Sequence, residues 1–211
     1  MKPARGARLV RIALVSATVC VVVAVSGCGV SGKPAAESTT KPAATTTQRP
    51  TTSTPTSEPT TGALVGQWQR VVDPPSGLSF QLPKQPTLLK PPVTAPDGAP
   101  VTVRGYQALV NPNLLVQVSV YDLAGRSFDA DKAIDGVATS SHGAVVARQH
   151  TESDGLDIVD AKIRIPTGPA LGYDRVFKIG DHAVQLWTLG LASNAAQIRL
   201  VQQHLSSTFR R

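Results

Sequence analysis

Ala183-Val184-Gln185-Leu186-Trp187-Thr188-Leu189-Gly190-Leu191 carries apolar residues on both of its alternating faces. A strand of that kind is predicted to lie inside a sheet, covered on both sides. It follows Gly180-Asp181, a two-residue hairpin signal, and a candidate strand over 171–179. Further upstream, Val159, Ala161, Ile163 and Ile165 alternate with Asp160, Lys162 and Arg164, the pattern of a half-buried strand. Asp154-Gly155 marks a second tight turn, reached from a candidate strand over 144–150. Four consecutive strands joined in this way make an antiparallel meander.

Working outward, Leu114 to Asp122 also alternates, with Val116, Val118 and Val120 opposite Gln117 and Ser119, and is expected to be half-buried. Shorter candidates cover 68–72, 77–82 and 101–109. Two segments have helical spacing. Ser127 to about Ser140 would bury Phe128, Ile134 and Val137, with Asp129 and Asp131 near its positive end. The last helix would start at Asn194 as cap, with Gln197 three residues on, and align Ile198, Val201, Leu205 and Phe209. Strands, a helix, a meander and a final helix predict an α+β domain over 67–211.

That order resembles the Mog1/PsbP-like fold, an antiparallel sheet with helices packed on both faces. Gly77-Leu78-Ser79-Phe80-Gln81-Leu82-Pro83 looks like the family's first strand, and Leu205-Ser206-Ser207-Thr208-Phe209 like its final helix end. Lys84-Gln85-Pro86 departs from it, standing where many members have Gly-Trp after the proline. The resemblance covers 70–211 and extends to actinobacterial lipoproteins, including the mycobacterial LpqN type. It implies protein-binding and assembly roles, with no common catalytic residue and no cofactor.

The N-terminal third reads as an address and a spacer. Lys2, Arg5, Arg8 and Arg11 precede an apolar run of 14 residues, Ile12 to Val25. About 20 apolar residues are needed to span a bilayer, so 1–27 is expected to be an export signal. Val25-Ser26-Gly27-Cys28 resembles the bacterial lipobox. The resemblance implies cleavage between Gly27 and Cys28, a diacylglyceryl group on the Cys28 thiol, and acylation of the new amino terminus, palmitate being the expected chain. Residues 28–66 are dominated by Thr, Pro, Ala and Ser, too polar to offset the entropy of ordering, and are expected to be a disordered tether. Stalks of this composition are O-glycosylation substrates; an undecorated spacer is the alternative. The expected location is the outer face of the cell membrane, in the envelope.

Of the formal charge of +7, four units belong to the first 27 residues, and residues 66–211 hold 14 basic and 12 acidic groups. A folded part so near neutral, with 4% aromatic residues, gives no reason to expect nucleic acid. Ser141-His142 are neighbours, but a polar cap at a helix end explains them. His142, His150, His182 and His204 are scattered, read as surface or strand-end residues. Asp129, Asp131 and Asp135 fit a helix start, and Asp154, Asp157 and Asp160 a hairpin; neither set has a calcium-loop pattern. No catalytic, cofactor or metal site is indicated. Trp187 is expected in the core, and Trp68 in a satellite contact where the tether meets the domain.

The leading expectation is a lipid-anchored envelope protein that binds a protein partner or acts in assembly. The sheet's flanking strands, or a pocket between sheet and helix, would make the contact. The alternatives are a carrier of an apolar envelope ligand, which needs a large cavity, and an envelope hydrolase whose residues converge only in three dimensions.

Overall fold

A computed structural model describes residues 68–95, 98–166 and 169–211. The signal sequence, Gly27, Cys28 and the tether lie outside the described residues. The chain opens with a hairpin of β1 (Gln69–Val72) and β2 (Ser79–Leu82). Then come β3 (Thr87–Leu89) and a small pair, β4 (Val93–Thr94) with β5 (Pro100–Val101). β6 (Val103–Asn111) and β7 (Leu114–Asp122) precede α1 (Ala130–Ser140). The meander is β8 (Ala144–Ser153), β9 (Leu156–Ile165), β10 (Ala170–Ile179) and β11 (His182–Leu191); a 3-10 turn, Ala192–Asn194, leads into α2 (Ala195–Thr208).

Seven strands form one antiparallel sheet in the order β3-β6-β7-β11-β10-β9-β8. β11 is its middle strand, as its two apolar faces predict. Ser153 pairs with Leu156 and Ile179 with His182, so both hairpin turns fall where Asp154-Gly155 and Gly180-Asp181 place them. Asp154 and Gly155 both have positive φ, 54° and 71°, a conformation that Asp and Gly tolerate best.

Among the described residues, each face of the sheet carries one helix and one core. Ile134 and Val137 of α1 pack on Val159, Ala161, Ile163, Val176 and Trp187. On the opposite face, Ile198, Val201 and Leu205 of α2 pack on Val116, Val118, Val120, Phe177 and Leu186, and the β1–β2 hairpin adds Phe80 and Leu82. Each such buried side chain contributes about 1.5–3 kcal/mol. Arg210 closes the domain by exchanging backbone hydrogen bonds with Ser79 at 2.7 and 2.9 Å, which ties the last residues to β2. No helix among the described residues is long and apolar enough to cross a membrane.

Several expectations need correction. β7 is covered on both faces: Ser119 and Tyr121 are buried too, because Tyr121 joins the α1-face core and bonds Gln185 while Gln117 meets Ser119. The strand expected at 101–109 is shifted to Val103–Asn111 and turns through Pro112 into β7. α1 begins at Ala130, three residues late, since Asp129 is its cap and accepts from the Lys132 N–H. Asn194 does not cap α2 through its side chain. It belongs to the 3-10 turn, outside the extended region that a capping side chain requires. Phe209 lies just past the helix in extended conformation, yet still packs with Phe177, at 5.1 Å between ring centroids.

Candidate functional site

Three polar arrangements interrupt the apolar cores. The first is an ion-pair clasp at the end of the sheet. Asp73, on the turn after β1, is fully buried, and Arg104 of β6 reaches it with Nε and Nη2 at 2.6 and 3.0 Å. The same guanidinium holds Asp122 at 2.6 and 2.7 Å. Tyr106 donates to Asp73 at 2.7 Å, and Ser76 donates to it as well. Burial alone would raise the Asp73 carboxyl, but hydrogen bonds from Arg104, Ser76 and Tyr106 outweigh it and hold it at about 2. His182 Nδ1 lies 3.0 Å from Asp122, at the start of β11 as expected of a strand-end histidine. The clasp locks the entry turn onto the sheet.

The second is a buried carboxyl. Asp174 of β10 faces α1 beside Trp187, 1% exposed. Gln185 donates Nε2 to its Oδ2 at 2.8 Å and accepts from Tyr121 at 3.1 Å, while Oδ1 has no hydrogen-bond partner among the described residues. Burial pushes Asp174 up to about 7. The outer end of the Trp187 ring sits against Gly172, where a Cβ would stand 2.1 Å from its nearest ring carbon.

The third is a groove of about 620 Å³ on the α2 face. α2 covers β10 and β11 and leaves β9 and β8 open. The shelf so formed carries Gln149, Asp160, Lys162, Tyr173 and Arg175, and α2 overhangs it with Arg199, Gln203 and Ser206. Arg175 grips Asp160 with two bonds, at 2.8 and 2.9 Å, which neutralises that acid. Lys162 lies 6.0 Å from the centre of the Tyr173 ring. Neither Lys162 nor Arg199 pairs with an acid among the described residues. Gln202 is held at the inner wall, accepting from Thr188 and donating to the Leu186 carbonyl at 3.0 Å. The groove can therefore take an anionic or hydrogen-bonding ligand.

The other singled-out residues lie apart. Ser141 caps α1, donating to the Val137 and Ala138 carbonyls at 2.7 and 3.1 Å, and His142 follows with φ of 52°. Asp131 and Asp135 pair with Arg148 of β8, a contact that sequence order does not reveal. His150 is exposed beside Asp131. His204 departs from a surface residue. Its buried Nε2 is unpartnered against Trp68, 4.2 Å between ring centroids, and burial lowers its pKa. Trp187 is core, and Trp68 makes the satellite contact. Among the described residues no group of three or more His, Cys, Asp or Glu could hold a metal ion.

The sequence carries the groove's residues as two unconnected patterns: the polar alternation of β9, and Arg199, Gln203 and Ser206 along the polar side of α2. Only the fold turns these stripes toward each other. Asp174 left a plainer signal, a carboxylate among apolar residues on a strand.

The sheet order and the helix on each face define a PsbP-like fold. Among solved structures, the chain is similar to the solution structure of cyanobacterial PsbP (CyanoP) from Synechocystis sp. PCC 6803. The TM-score is 0.52 at 12% identity, over 69% of this chain and 93% of that one. No family model matches, and no curated protein matches by sequence.

Proposed function

We propose that this chain is a lipid-anchored lipoprotein of the bacterial cell envelope, of the actinobacterial kind, whose exported domain holds a protein partner in the groove beneath α2. The observation that carries the binding role is the groove itself: an open shelf beside two apolar cores, with two cations that no acid among the described residues pairs. The anchor rests on Val25-Ser26-Gly27-Cys28 behind a basic, apolar leader. Cys28 would bear the acyl chains, and two or three chains hold a protein firmly where one does not.

A carrier of apolar ligands is less well supported. The apolar hollow lined by Leu109, Leu114, Leu115 and Leu189 measures about 60 Å³, against roughly 300 Å³ or more for small-molecule sites. A hydrolase reading would use the His182–Asp122 pair. That carboxylate is already clamped by Arg104, and no hydroxyl bonds to His182 among the described residues.

Two measurements test the proposal. Cys28→Ala is expected to abolish lipid labelling and membrane retention; labelling that persists would refute the anchor. A photo-crosslinking residue at Gln203, in the groove, is expected to capture one partner in native envelopes, and the same residue at Lys132, on α1, is not. Equal capture from both positions would remove the groove from the contact.

A further inference from the structure

We propose that the groove takes an extended acidic segment of the partner, laid as an added strand along the free edge of β8; this rests on the binding reading above. β8 ends the sheet. Past a bulge between Val145 and Ala147, residues 147–153 run in unbroken register against β9. Among the described residues, the backbone groups directed outward from that run have no strand partner. Natural edges are usually shortened, or guarded by proline or charge. β8 is ten residues long and has no proline. Of its charged residues, Arg148 is drawn off the edge by Asp131 and Asp135 of α1, and Glu152 stands next to the hairpin turn on the face opposite Ala147 and Gln149.

On the groove side, Ala147 and Gln149 of β8 lie opposite Lys162 and Asp160 of β9. Side chains of an added strand alternate between faces, so every second one would enter the groove. Asp160 is neutralised by Arg175, which leaves Lys162 below and Arg199 above as the charges to be met. The cations select acid, and the strand edge selects polypeptide, because neither a lipid headgroup nor a nucleic acid can continue a backbone ladder.

The test uses the full-length lipidated protein in non-ionic detergent and a fluorescent decapeptide of alternating valine and glutamate, followed by anisotropy. Binding is expected, with β8 amides gaining protection in hydrogen exchange. Replacing the glutamates by glutamine should weaken it about tenfold or more, and Lys162→Gln or Arg199→Gln about fivefold each, the scale of ~1 kcal/mol per exposed ion pair. N-methylation of alternate peptide bonds on the pairing edge should abolish it. Equal binding of the glutamine or N-methylated peptide would overturn the proposal. So would phosphatidylglycerol vesicles or oligothymidylate binding through Lys162 and Arg199 while the peptide does not. If Gln203 captures a partner in envelopes and the peptide fails to bind, the added strand falls while the groove contact stands.

Discussion

Asp174 is the residue whose surroundings are hardest to reconcile with an ordinary carboxylate. It lies among Trp187, Ala161 and Val176, is held by the Gln185 amide, and forms no ion pair among the described residues. Between the unfolded value near 4 and the folded value of about 7, the folded chain binds more protons than the unfolded one. Stability from this group is therefore present at pH 4 and lost as the pH rises through 7. Asp174→Asn is expected to flatten the urea-midpoint profile between pH 4 and 7, removing up to roughly 1.4 kcal/mol per pH unit. An unchanged profile would show that the carboxyl is ionised in the fold. Asp73 acts oppositely and lower: held at about 2, it stabilises above pH 4 and loses that contribution as the pH falls to 2. Its charge depends on Arg104. Arg104→Met would leave a fully buried carboxylate without its cation, a change that costs about 3–5 kcal/mol, read as a drop in thermal midpoint. Adding Asp73→Asn should recover part of the loss.

At the scale of elements, Gly172 shows how β10 and β11 fit. Its missing side chain lets the Trp187 ring lie on the strand, so Gly172→Ala must displace a ring that is 5% exposed. Overpacking of this kind costs about 1–3 kcal/mol, and the tryptophan emission should shift with it. Trp187→Leu, which removes the clash, should cancel most of the effect of the alanine. Elements like these were legible in sequence to the extent that their cause is local. Asp154-Gly155 and Gly180-Asp181 hold turn conformations that their own side chains permit, and β11 is apolar on both faces wherever it lies. β7 was half legible: its valines point one way, but the burial of Ser119 and Tyr121 is decided by Gln117 and Gln185, the first two residues away and the second on another strand. Asn194 fails as a cap for a similar reason, since the turn from β11 fixes its backbone. The groove was the least legible, because two polar stripes read separately as solvent faces become a site only when α2 is laid over β10.

Over the whole molecule, the point where the domain begins determines how the groove can be presented. Trp68 packs on His204 of α2, within the core of the α2 face. The segment leading back to Cys28 thus joins the domain on the side that carries the groove. If the Thr/Pro-rich stretch is extended, as its composition predicts, residues 29–61 supply roughly 100 Å of reach at ~3.1 Å per residue. Deleting them should leave the thermal transition unchanged, since their Thr/Pro-rich composition offers almost no apolar surface to bury. Under the anchor proposed above, however, the shortened protein would hold the α2 face close to the bilayer, and crosslinking from Gln203 should fall while lipid labelling at Cys28 persists. A lowered midpoint would mean that the segment packs on the domain. An undiminished crosslink with an intact domain would instead place the partner at the membrane surface.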